Sequence, residues 1–224
     1  MERSQVPPHL GRDLGRGKVL FRVCLKRNIK KMHYQAIVIG VSSGGLNAMR
    51  VMFSLLPKSF ETPIIIVQHI SPNSRNLWIK LLNDKSNLKI KEADEKEKIE
   101  RGNVYIAPPN YHLLIERNKT FSLTIDERIN YARPSIDVLF ESAAEAYKNK
   151  LIGVILTGSN NDGTNGLKRI KEYGGLTIVQ DPATAESNYM PASAIAAMQV
   201  DYILSLEDII NLLIKTDKQN NTQS

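Results

Sequence analysis

Ala36-Ile37-Val38-Ile39-Gly40-Val41-Ser42-Ser43-Gly44-Gly45 is the stretch on which the fold turns. Its first four residues are apolar and mostly β-branched, with no polar residue alternating among them. A strand with one solvated face alternates, whereas a strand covered on both faces does not, so this run predicts a central strand of a parallel sheet. Behind it, Leu46, Met49, Met52, Phe53 and Leu56 recur three and four residues apart until Pro57. That spacing predicts a helix, which the proline stops.

Outward from this unit the pattern repeats. Ile64-Ile65-Ile66-Val67 is a second apolar run, ending at Gln68-His69, and Leu77, Trp78, Leu81 and Leu82 mark the next helix. Residues 91–101 are a run of charges, which reads as a solvated loop or a sheet edge. Residues 104–106 and 112–115 read as short strands, and 121–125 as the second arm of a hairpin turning at Arg117-Asn118-Lys119. Ser135 or Asp137 starts a helix running to Lys148. A buried strand over 152–157 then ends in Gly158-Ser159-Asn160-Asn161-Asp162-Gly163, and a helix over 166–173 is closed by Gly174-Gly175. A strand over 176–179, a helix from Pro191, a strand over 202–204 and a helix over 206–215 complete the body, with a polar tail expected to fray. Strands alternating with helices imply an α/β protein: a three-layer, doubly wound, mostly parallel Rossmann-like sheet with a small antiparallel hairpin.

Ligands of such sheets bind beyond the carboxyl ends of the strands, near the point where strand order reverses. Three strands deliver reactive residues there: Ser42, His69 and Asp162. A serine hydroxyl is a weak nucleophile until a neighbour takes its proton. An unperturbed imidazole titrates near pH 6.5 and suits that task, and a carboxylate can hold it in the right tautomer. Gly40-Val41-Ser42-Ser43-Gly44 also fits the G-x-S-x-G nucleophile elbow, in the strand-to-helix setting which that pattern requires. The order Ser, His, Asp differs from the Ser, Asp, His of α/β-hydrolases, so the same chemistry would sit on another topology. The helix start behind Ser42 offers free amides for an oxyanion, with the Ser43 N–H the first candidate and Gly44 beside it. Each residue also has a plainer reading: a helix cap or phosphate cradle at Ser42, a satisfied strand-end histidine at His69, turn chemistry at Asp162. His112 reads as structural, and Arg133-Pro134-Ser135 as either a substrate contact or a helix cap. The other function class is a non-catalytic receptor-binding or phosphate-binding Rossmann-like module, although neither a spaced-glycine dinucleotide fingerprint nor a P-loop lysine follows the first strand.

The formal charge of +7 suggests nucleic acid until its location is read. Residues 1–31 hold nine Lys or Arg against Glu2 and Asp13, so the remainder is neutral and no nucleic-acid partner is expected. These residues also lack the apolar core of a secretory signal. They are expected to be a disordered basic leader, with Met32 a sensible start for a catalytic domain over 32–216 and a polar tail over 217–224. One cysteine, Cys24, excludes an internal disulfide and suits the cytoplasm. No run approaches the ~20 apolar residues of a membrane span.

Several segments together resemble the CheB-type chemotaxis receptor methylesterase domain. They are Ile39 to Gly45, Gln68-His69, Tyr105-Ile106-Ala107-Pro108-Pro109, Arg133 to Phe140, Leu156-Thr157-Gly158 with Asn161-Asp162-Gly163, Gln180-Asp181-Pro182 and Met190-Pro191. The resemblance covers about residues 34–215 and implies hydrolysis of glutamate γ-methyl esters on chemoreceptor cytoplasmic helices, releasing methanol, with deamidation of certain glutamines in many members. It implies that Ser42, His69 and Asp162 form the triad, that Met190 is substrate-proximal, and that no metal or organic cofactor is needed. Two departures stand out: Ser159 and Asn160 replace a Met and a Gly usual in the family, and Ser43 replaces a Thr. Many members carry an N-terminal receiver domain. The 33 residues before the first strand are too short for one, so constitutive activity or control by a separate receiver protein is expected.

Overall fold

A computed structural model describes residues 32–69, 75–129 and 131–222. The expected leader over 1–31 lies outside the described residues. Seven strands form one parallel sheet: β1 (Ala36–Val41), β2 (Ile64–Gln68), β3 (Lys89–Glu92), β4 (Asn103–Ile106), β7 (Leu151–Ile155), β8 (Leu176–Gln180) and β9 (Tyr202–Leu204). Their order is β3-β4-β2-β1-β7-β8-β9. β5 (His112–Ile115) and β6 (Phe121–Thr124) pair antiparallel as a separate hairpin. The helices are α1 (Gly45–Leu55), α2 (Arg75–Asn83), α3 (Ile136–Tyr147), α4 (Thr164–Glu172), α5 (Tyr189–Ala197) and α6 (Leu206–Asn221).

The unbroken apolar runs have the reason read from the sequence: every residue of β1, β2, β7 and β8 is buried. Ile37, Ile39 and Val41 face one layer with residues of α1 and α6; Ala36 and Val38 face the other with residues of α3, α4, α5 and the hairpin. Side chains alternate across the sheet, so two hydrophobic cores meet one strand. The chain moves outward from β1 to β2 and to the edge strand β3, places β4 between those two, then returns to add β7 on the other flank of β1. The switch point therefore lies between β1 and β7, and Ser42 and Asp162 leave the carboxyl ends of those two strands.

Two stretches differ from expectation. The charged run opens on a sheet edge, one of its two expected readings, but the strand itself, β3, is not among the expected ones: it begins before the run at Lys89 and pairs with β4 along its whole length, with only Ile90 buried among its four residues. An edge strand exposes most of its side chains, so it leaves no apolar run. The last helix does not stop at Lys215 but continues to Asn221, because polar groups of its final turns are buried and bonded. Asp217 Oδ1 accepts from the Thr62 amide at 2.7 Å and the Thr62 hydroxyl at 2.7 Å. Asn220 exchanges hydrogen bonds with the backbone of Tyr34. These contacts clamp the amino ends of β1 and β2, opposite the strand ends that carry Ser42 and His69.

Candidate active site

Two glycines shape the turn behind β1. A Cβ on Gly40 would lie 2.4 Å from Ile136 Cγ2, so glycine lets the start of α3 close on the end of β1. Gly44, at the start of α1, has φ 80°, and a Cβ there would lie 2.8 Å from Glu186 Cβ. Between them Ser42 is held at both backbone groups: its amide donates to the Thr157 carbonyl at 2.9 Å and its carbonyl accepts from Gln68 Nε2 at 2.9 Å. Among the described residues the Ser43 and Gly44 amides find no acceptor, which leaves two donors on the turn that follows Ser42.

His69 follows β2. Its Nδ1 lies 3.3 Å from Ser42 Oγ and its Nε2 lies 2.9 Å from Asp162 Oδ2. Asp162 is fully buried, yet its carboxylate is richly solvated by protein donors. Oδ2 also accepts from the Ile136 amide at 2.7 Å; Oδ1 accepts from Ser135 Oγ at 2.8 Å and from the Asp137 and Gly163 amides at 3.1 Å each. Burial pushes the carboxyl upward, but the bonds from His69 and from the Ile136 and Asp137 amides outweigh it and hold the group below the usual carboxylate value. An ionised Asp162 only accepts, so His69 carries its proton on Nε2 and turns the Nδ1 lone pair toward Ser42. That geometry can take a proton from the serine hydroxyl.

Behind this group, Asp137 Oδ1 accepts from the Gly166 amide at 2.7 Å, tying α3 to α4. Burial pushes Asp137 up to about 6, with the Asp162 charge adding to the rise and the Gly166 bond opposing it. His112, read as structural, is buried; its Nδ1 accepts from the Ser135 amide at 3.2 Å and its Nε2–H donates to the Glu127 carbonyl at 3.0 Å. For Ser135 the sequence allows a substrate contact or a helix cap. It occupies the cap position of α3 but makes no cap bond of its own, because its hydroxyl is turned to Asp162.

Met190 is not among the described residues lining the cleft at Ser42. It is fully buried beneath the loop after β7, where its side chain fills the space a Gly158 Cβ would need. Ser159 and Asn160, singled out in the sequence only as departures from the family pattern, both touch the group: Asn160 Nδ2 lies 3.2 Å from His69 Nδ1, and the Ser159 hydroxyl bonds that of Ser43 at 2.8 Å. The hydroxyls of Ser42 and Ser43 open on a cleft of about 420 Å³ that Trp78 and Glu186 also line.

The family model described as CheB methylesterase matches residues 37–213. The chain belongs to this family. A relative from Leptospira interrogans, named for protein-glutamate methylesterase/protein-glutamine glutaminase, is 61% identical over 189 residues, which is 84% of this chain and 98% of that protein. A Thermotoga maritima protein of the same double name is 39% identical over 182 residues, 80% of this chain but 53% of its own length. The chain thus spans about half the length of that relative. The crystal structure of the Thermotoga maritima CheB methylesterase catalytic domain superposes with a TM-score of 0.78 at 39% identity, covering 81% of this chain and 98% of that one. Family membership also accounts for the fold, the parallel sheet with its detached hairpin.

Proposed function

We propose that this chain is a serine protein-glutamate methylesterase in which Ser42 is the nucleophile, His69 the general base and Asp162 the group that orients and charges His69. The observation that carries the reading is the unbroken line from Ser42 Oγ through His69 to Asp162, at 3.3 and 2.9 Å. In it, Ser42 Oγ attacks the γ-carbonyl carbon of a glutamate methyl ester while its proton passes to His69 Nδ1. The carbonyl oxygen becomes an oxyanion facing the Ser43 and Gly44 amides. Collapse expels methoxide, which takes the proton from His69 and leaves as methanol. Water, deprotonated by His69, then attacks the γ-ester formed on Ser42, and the proton returns to Ser42 as glutamate is released. A glutamine carboxamide follows the same course with ammonia as leaving group, in keeping with the double name carried by the relatives.

The cleft supports a neutral substrate. Among its described lining residues there is no lysine or arginine, and Glu186 adds negative charge. An ester or carboxamide enters such a site more readily than the carboxylate product, which favours release. Methylated cytoplasmic segments of chemoreceptors are the substrates that follow, in the cytoplasm; among the described residues no helix is long and apolar enough to cross a membrane. The test is methanol release from a methylated receptor fragment, run beside labelling by a fluorophosphonate probe. Wild type should show both and Ser42→Ala neither; turnover retained in Ser42→Ala overturns the reading.

A further inference from the structure

Asn160 stands against the base. Its Oδ1 accepts from the Asp162 amide at 3.2 Å, which fixes the orientation of the carboxamide, and its Nδ2 therefore points at His69 Nδ1, 3.2 Å away. The same nitrogen is 3.3 Å from Ser42 Oγ. With Nε2 committed to Asp162, Nδ1 has one in-plane lone pair. The amide of Asn160 and the hydroxyl of Ser42 compete for it. Once Nδ1 has taken the serine proton, the contact becomes donor against donor, an unfavourable pair inside a site where charge is poorly screened. The remaining charges on His69 favour protonation: Asp162 touches it, Asp137 lies behind Asp162, and Glu186 lines the cleft.

We propose that Asn160 is a positioning residue that restrains His69, occupying Nδ1 in the resting enzyme and opposing its protonated form, so that the reaction runs below the rate the triad would otherwise reach. The inference rests on the reading of Ser42 as nucleophile and His69 as base. It gives the loop after β7 two opposed roles: Asp162 accepts from His69 Nε2 and supports the imidazolium formed during the reaction, and Asn160, two residues earlier, aims a donor at Nδ1 and opposes it.

The experiment measures kcat/KM for methanol release against pH, with fluorophosphonate labelling in parallel, for wild type, Asn160→Ala, Asn160→Asp and Ser42→Ala. Loss of one competing neutral hydrogen bond corresponds to a gain of roughly 3- to 10-fold. Asn160→Ala should gain that much in kcat/KM and in labelling rate, and its acid limb should move to higher pH. Asn160→Asp keeps the acceptor for the Asp162 amide, so the loop stays tethered, and its acid limb should move upward as well. A slower or unchanged Asn160→Ala, or an Asn160→Asp whose acid limb stays in place, overturns the restraint. If Ser42→Ala is inactive while Asn160→Ala is no faster, only this inference fails; if Ser42→Ala still turns over, the assignment of the nucleophile fails instead.

Discussion

Ser135 stands at the start of α3 and donates its hydroxyl to Asp162 Oδ1 at 2.8 Å instead of capping its own helix. The cap is supplied from outside: the Asp162 carboxylate takes the Ile136 and Asp137 amides that the Ser135 side chain leaves free. One carboxylate thus satisfies a helix start and orients His69, and the positive end of α3 helps to keep it ionised. Ser135→Ala should keep the fold, because the two amide bonds remain, but remove one of the donors that hold Asp162 charged. We expect kcat/KM for methanol release to fall about 3- to 10-fold, the scale of one net hydrogen bond. Ser135→Thr should restore most of it, and equal losses in both variants would point to packing instead.

Asp162→Asn tests charge apart from shape. The carboxamide can still accept from the Ile136 amide, but it cannot stabilise a protonated His69, and neutralising such a carboxylate costs on the order of 10³–10⁴ in kcat. KM should change little, since Asp162 is buried and is not among the residues lining the cleft. A loss confined to KM would contradict the assignment.

Asp137 is the opposite case. Its ordinary value is about 3.9, and burial raises it to about 6 in the folded protein. A raised folded value means that the folded state holds the proton more tightly than the unfolded chain. The stabilisation is fully present below about pH 4 and is lost as pH rises through about 6, leaving a cost at neutral pH on the order of 1–3 kcal/mol. Asp137→Asn retains an oxygen for the Gly166 amide and never ionises. Thermal melts should show Tm raised by roughly 3–10 °C at pH 8 and little gain at pH 4. A variant less stable than wild type at pH 8 would refute the argument.

The parts of the fold readable in the sequence are those where burial is two-sided. β1, β2, β7 and β8 are covered on both faces, so each leaves a contiguous apolar run, and the residues just past three of those runs were Ser42, His69 and Asp162. β3 and the end of α6 escaped because their stability lies in backbone pairing and in buried hydrogen bonds, neither of which leaves a hydrophobic pattern. The same holds at the site. Strand ends can be read one at a time, but Ser135, His112 and Asn160 act through contacts between segments far apart in the chain, and a lone serine, histidine or asparagine carries no mark of its distant partner. Met190, which the resemblance implies to be substrate-proximal, fills the space beneath Gly158, a packing role that its place in the sequence does not show.

The buried clamp at the end of α6 gives the last prediction. Asp217 accepts from the Thr62 amide and hydroxyl and from the Glu61 amide, and it is 4% exposed. Asp217→Ala removes the acceptor while the two Thr62 donors stay buried, and each stranded donor costs about 1–3 kcal/mol. Water entering the gap left by the side chain would recover part of this, so we expect a net loss of about 2–4 kcal/mol and a Tm lowered by roughly 4–16 °C. Asp217→Asn, which keeps one acceptor oxygen, should lose less. Because the clamp holds the amino ends of β1 and β2, and Ser42 and His69 leave their carboxyl ends, kcat measured well below the melting transition should match wild type. A Tm unchanged in Asp217→Ala would mean that the final turns of α6 contribute nothing to stability, and a selective fall in kcat would mean that the clamp is coupled to the cleft through the sheet.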